Sequence, residues 1–133
     1  MYKTICLIFA MYAEAQPLIN ELMLTEDLSY ADGLPMRSWV GKYGGNQIIV
    51  VINGRDKNTQ LDFIGTQSAT LNTHLAIVHY QSDLIISAGT AGAFSGKGAS
   101  IGEVYLSYPH VIFHDRRIEI PGWKEVGVGT FLL

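Results

Sequence analysis

The run KTICLIFAM, residues 3–11, constrains the fold of this chain more than any other stretch. It is continuously apolar from residue 5 to residue 11. A strand with one wet face alternates apolar and polar residues, so an unbroken run describes a strand covered on both faces, as in a parallel sheet. The helical pattern YAEAQPLINELML follows at once, with Leu18, Ile19 and Leu22 on one face. Pro17 is tolerable there only near the first turn. A buried strand running straight into a helix is the beginning of a β-α crossover.

The same order returns further on. Residues 61–80 read as a helix, with Ile64, Ser68, Leu71, Leu75 and Val78 recurring at three and four, and Ala69 and Ala76 beside them. The short buried run SDLIISAG, residues 82–89, comes next. Between the two units, MRSWVGKYGGNQIIVVIN reads as two strands around a GGN turn. EDLSYADGLP and GRDKNTQ read as polar loops. GEVYLSYPHVIFHD, residues 102–115, is rich in β-formers, and Pro109 within it predicts a bulge or a crossover. From RRIEIPGW onward the pattern fades. The predicted order is β-α-β-β-α-β-β around a central mixed sheet, an α/β fold.

At 133 residues the chain suits one domain, residues 1–133, with enough length to bury a core. With 48% hydrophobic and 16% charged residues, disorder is excluded as a class. A net charge of −3, and no basic cluster beyond DRR at 115–117, argue against a nucleic-acid partner. No apolar run approaches the ~20 residues that span a bilayer, and no signal peptide is expected, so no membrane partner is expected either. The single Cys6 cannot form an internal disulfide, which fits a reducing, cytoplasmic setting.

In open α/β sheets ligands bind beyond the carboxyl ends of the strands. Two stretches lie there: FAMYAE and SAGTAGAFSGKG. The second is neither common nucleotide loop. Gly89 and Gly92 are three apart, where the dinucleotide fingerprint needs a Gly two before as well, and GKG lacks the hydroxyl of a phosphate-binding loop. Thr90 remains, flanked by backbone that small residues leave open to a ligand; a plain tight turn has the same composition. Glu14 lies at the other strand end. A carboxylate at a helix start is favoured by the dipole alone, and it can also orient a water or a hydroxyl. His74 and His79 diverge on a helix and form no metal pair, and His110 with His114 lacks further ligands for zinc. No metal and no cofactor is expected.

The segments AMYAEAQPLINEL, GTQSATL, DLIISAGTAGAF, KGASIGEVYLS and FHDRRIEIP occur in order from residue 10 to about residue 121. Together they resemble the nucleoside phosphorylase superfamily, and within it the plant-type 5′-methylthioadenosine/S-adenosylhomocysteine nucleosidases. The resemblance implies a three-layer α/β/α fold with a central mixed sheet. It implies hydrolysis of the N-glycosidic bond of methylthioadenosine in methionine salvage, on a small nucleoside substrate, by a homodimeric enzyme. Carried over by position, Glu14 is the catalytic residue that orients the attacking water. Met11 lies against the ribose, and Thr90, Ala91 and Gly92 line the sugar and water pocket. His114, Asp115 and Pro121 belong to a loop near the dimer interface and the alkylthio pocket.

The family pattern continues beyond what this chain carries. It includes a Met-Glu segment for the ribose hydroxyls and a Ser-Asp motif whose Asp protonates adenine. Here no Met-Glu pair occurs, and KEVGVGTFLL after Trp123 holds no Asp. The expectation is a truncated fold that holds the water side of the site, releases little adenine by itself, and tends to self-associate. A non-catalytic or storage-like nucleoside-binding relative is the second possibility. A purine or uridine nucleoside phosphorylase is the third, and the carboxylate in FAMYAE, which would repel phosphate, disfavours it.

Overall fold

The computed structural model describes residues 2–107, 109–114, 120–121 and 128–132. The chain divides into two compact units, Met1–Ala91 and Gly92–Leu133.

In the first unit, β1 (Thr4–Phe9) lies between two parallel neighbours, β4 (Asn46–Ile52) and β5 (Leu84–Ser87). Beyond β4 come β3 (Arg37–Tyr43) and the two-residue β2 (Thr25–Glu26), both antiparallel additions, in the order β2-β3-β4-β1-β5. The sheet is therefore mixed. Strand alternation then builds the layers. Ile48, Val50 and Ile52 of β4 join Phe9 and Trp39 under Ala15 and Ile19 of α1 (Tyr12–Glu21). On the other face Ile49 and Val51 join Cys6 and Ile8 under Ala76 of α2 (Thr66–Tyr80). Residues 49, 50 and 51 are all fully buried, which is why β4 reads as one apolar block. Each such side chain contributes about 1.5–3 kcal/mol on burial. The three-layer expectation and the continuous-run reading of β1 both agree with this arrangement.

The β3–β4 hairpin closes through Gly44 and Gly45, with φ of 57° and 83°. Two consecutive left-handed residues are what a two-residue hairpin turn of matching twist requires.

Four local expectations change. First, α2 begins at Thr66, not near residue 61. Its buried residues are Asn72 and Ala76, whereas Leu71, Ile77 and Val78 are exposed. Small side chains bring the helix close to the sheet, so the larger apolar spacing marked a different face. Second, Pro17 stands in the second turn of α1. The carbonyl of Ala13 loses its partner there, but both residues are exposed and water can serve it. Third, the segment read as a loop at 26–35 begins inside an edge strand, β2. Fourth, in the second unit residues 103–107 form no regular strand, while β6 (His110–His114) pairs antiparallel with β7 (Val128–Leu132), where the sequence pattern had faded. A 3-10 turn, Ser95–Lys97, precedes them.

Candidate active site

The parallel pairing of β1 with β5 sets Ile8 opposite Ser87, so both strands end side by side. One further bond, from the Ala88 N–H to the Ile8 carbonyl at 2.9 Å, carries that register past the strand. Beyond it the chain after β1 turns into α1, and the chain after β5 turns into SAGTAG. Glu14, in the first turn of α1, therefore meets Thr90 from a segment 76 positions away.

The carboxylate of Glu14 is held by three donors. Its Oε1 accepts the Thr90 N–H at 2.9 Å and the Thr90 hydroxyl at 2.7 Å. Its Oε2 accepts the Met11 N–H at 3.2 Å, the return half of a helix-capping arrangement. Gly89 leaves the space for this. A Cβ there would lie 3.3 Å from Oε1 and 3.6 Å from Oε2. Burial pushes the Glu14 carboxyl up, and the nearby charge of Asp62 does the same. The bonds from Thr90 and Met11 outweigh both, and the group is held below the usual carboxylate range. A carboxylate has about four lone-pair sites, so three filled sites leave room for one more donor, such as a water.

The loop that follows β4 adjoins this end. Its Arg55 pairs with Asp62, Nε to Oδ1 at 2.9 Å, across an isolated antiparallel bridge. Arg37, at the start of β3, pairs with Glu26 through two bonds of 2.7 and 3.0 Å. Its guanidinium also lies 4.7 Å from the Trp39 ring centroid and 5.7 Å from that of Tyr12. These two arginines are thus already matched by a carboxylate.

Of the residues singled out from the sequence, Met11, Glu14 and Thr90 come together. Thr90 gives both its N–H and its O–H to Glu14, so it first of all holds the acid in place. Ala91 follows it, exposed, at the end of the first unit. Gly92 opens the second unit, to which His114, the last residue of β6, and the exposed Pro121 also belong. Asp115 lies outside the described residues. Among the described residues no group of three His, Cys, Asp or Glu could hold a metal ion. An open groove of about 490 Å³ runs along α2 past Thr66, Gln67, Thr70, Leu71 and His74. It contains neither Glu14 nor any other perturbed carboxylate, so the strand ends remain the better candidate.

Sequence reasoning missed two polar clusters. Asp27 accepts the Ser29 N–H and hydroxyl, the Tyr80 hydroxyl at 2.9 Å, and faces His79 at 3.5 Å. Deeper in, Tyr30, Asn72 and Asn53 form a buried chain of bonds. An Asn in the middle of an otherwise apolar helical pattern was the available signal for the second.

Three comparisons bear on this geometry. Residues 4–128 match the family model of the phosphorylase superfamily. A 5′-methylthioadenosine/S-adenosylhomocysteine nucleosidase of Arabidopsis thaliana is 43% identical over 129 residues, which is 96% of this chain and 50% of that protein. A 5′-methylthioadenosine nucleosidase of the same plant is also 43% identical, over 96% of this chain and 48% of its own length. The apo structure of an Arabidopsis 5′-methylthioadenosine nucleosidase superposes with a TM-score of 0.88 at 41% identity, covering 98% of this chain and 54% of that one. The chain spans about half the length of the relatives it matches.

Proposed function

Since the chain belongs to the phosphorylase superfamily, we propose that its first unit supplies the water-positioning side of a nucleosidase site, for hydrolysis of the N-glycosidic bond of 5′-methylthioadenosine. The observation that carries this is the Glu14 carboxylate, fixed at two strand ends by Thr90 and Met11 and kept ionised.

As the bond to adenine lengthens, the ribose gains oxocarbenium character. Such a centre needs a water in the right place more than a strong base. A carboxylate with three of its lone pairs engaged suits that role, because it can accept one proton of a bound water and point the water oxygen at the anomeric carbon. Its low proton affinity makes it a positioner first and a proton acceptor only late in the reaction. Phosphate as nucleophile would need a free cation in place of that charge. Here a carboxylate stands at the strand end, and Arg37 and Arg55 are both already paired.

The activity of a whole enzyme is assigned by likeness to relatives about twice as long. Placement in methionine salvage and S-adenosylhomocysteine as a second substrate rest on the same likeness. A homodimer draws support from that likeness and from the exposed Leu71, Ile77 and Val78 on α2. A cytoplasmic setting draws support from the single Cys6, which is buried and cannot form an internal disulfide.

Methylthioadenosine added to the chain should shift the amide resonances of Met11 and Thr90, and Glu14→Ala should abolish the shift. In a protein that also carries the remaining half of such an enzyme, Glu14→Gln should slow adenine release by roughly 10²–10⁴-fold with KM little changed. Unmoved amides, or wild-type release by the Gln variant, would overturn the proposal.

A further inference from the structure

The loop between β4 and α2 is held from below by buried polar side chains that take no part in the proposed chemistry. Asn53 is the first residue past β4 and is 1% exposed; Asn72, on α2, is fully buried. The Asn53 side-chain N–H donates to the Phe63 carbonyl at 2.9 Å. The Asn72 side-chain N–H donates to Asn53 Oδ1 at 3.1 Å. The buried Tyr30 hydroxyl donates to Asn72 Oδ1 at 2.7 Å and lies 3.1 Å from the Asn72 carbonyl. Four segments, around Tyr30, Asn53, Phe63 and Asn72, are thereby tied by one neutral chain of bonds.

What this chain of bonds holds is specific. Phe63 directly follows Asp62, the residue that pairs with Arg55 across the loop. Because β4 and β1 run parallel, with Ile52 opposite Phe9, the loop leaves the sheet at the end where Glu14 stands. Within the loop, the Phe63 N–H returns to the Gly54 carbonyl at 2.9 Å, and the Asp56 N–H to the Leu61 carbonyl at 2.9 Å. The Asp62–Arg55 pair is thus fixed at its two ends by backbone and from beneath by Asn53.

We propose that Asn53 and Asn72 are positioning residues, a buried amide clamp that sets the β4–α2 loop so that the Asp62–Arg55 pair keeps a fixed place at the sheet end where Glu14 stands. The clamp rests on the assignment of Glu14 as the water-positioning group only for its purpose; its mechanical action stands apart. Neutral amides suit it, because a buried charge would be costly and an amide donates and accepts through two separate atoms, which lets it span from the Phe63 carbonyl to Asn72. The groups facing Glu14 are the Met11 N–H, Thr90 and the charge of Asp62, the last balanced by Arg55. Moving the loop therefore changes the influence of the Asp62 charge, the smallest of those acting on the Glu14 carboxyl and one that opposes its ionisation.

The test uses site-resolved amide exchange and the carboxyl-carbon titration of Glu14 in the full chain, neither of which needs turnover. Asn53→Ser removes the clamp. Asn53→Asp keeps the acceptor for Asn72 and removes the donor to Phe63, while placing a carboxyl group at this buried position. Either variant should raise exchange at Asp56 and Phe63 about tenfold more than at the amides of β1 and β4. Asn53→Ser should also lower the Glu14 midpoint, in the same direction as Asp62→Asn, which deletes the opposing charge outright. Uniformly faster exchange, an unmoved Glu14 midpoint in Asn53→Ser, or loss of the whole fold in both Asn53 variants would make these residues scaffold and overturn the clamp. If methylthioadenosine fails to bind while the loop and midpoint shift as expected, the functional assignment falls and the clamp stands.

Discussion

Two glycines, Gly54 and Gly89, mark the ends of the two strands that flank β1, and they show two ways of finishing a sheet. A Cβ on Gly54 would lie 1.8 Å from the Pro35 carbonyl oxygen, at a φ of +81°. Backbone meets backbone there, over a buried, neutral and fully bonded set of amides. A Cβ on Gly89 would meet only the tip of Glu14, at 3.3 Å. The end of β4 is closed and rigid, whereas the ends of β1 and β5 are open, charged and short of one donor. A neutral network can be buried because each group finds a partner. A carboxylate that must meet a water has to keep part of itself uncovered.

The contrast predicts a descending series of effects. Gly54→Ala should be the most damaging, more than about 3 kcal/mol, because neither the strained φ nor the backbone clash can relax. Urea unfolding would measure it, and a midpoint near wild type would mean the β4 end is not closed. Asn72→Ala should come next, at about 2–4 kcal/mol, since it opens a small cavity, leaves the Asn53 Oδ1 buried without a donor and leaves the Tyr30 hydroxyl only the main-chain carbonyl of residue 72 at 3.1 Å. Thr90→Val should cost about 0.5–1.5 kcal/mol and raise the Glu14 pKa, because one of the donors that lower it is lost. Carboxyl-carbon titration would show the rise, and a fall would mean that Thr90 does not hold the acid.

The pH dependence is smaller still. Glu14 has a folded-state pKa below its ordinary value of 4.5, so the folded chain binds fewer protons than the unfolded one. Its contribution is complete above that value and is lost as pH falls through the lowered folded pKa. Solvent screening keeps it under about 1 kcal/mol. Thermal melts of wild type and Glu14→Gln between pH 3 and 6 should therefore converge at the acid end (roughly the window of the shift); parallel curves would remove Glu14 as a linked group. Gly89→Ala should have the least effect on stability, because the carboxylate need give only a few tenths of an ångström. The change should nonetheless appear in the Thr90 amide shift.

Legibility in the sequence followed physical range. The unbroken run at β1 told that both faces of that strand are covered, and burial of Cys6 and Ile8 on one side and Phe9 on the other bears it out. The GGN turn was readable because positive φ needs glycine. The face of α2 was not, because Asn72 and Ala76 carry too little hydropathy to outweigh Leu71 and Val78 in a periodicity count. β7 was hidden because a short two-stranded pairing leaves little pattern in either strand.

The acid was legible by position and resemblance, but its holder was not. Sequence alone determined the strand and helix succession of the first unit, the parallel start of the sheet and the presence of Glu14 and Thr90 at strand ends, since side-chain period and strand-to-helix succession are local. Only the tertiary structure decided that Thr90 gives both its donors to Glu14, and that Asn53 and Asn72 meet beneath the loop. Those bonds join segments 76 and 19 positions apart, and no local pattern encodes which distant polar group will meet a buried one.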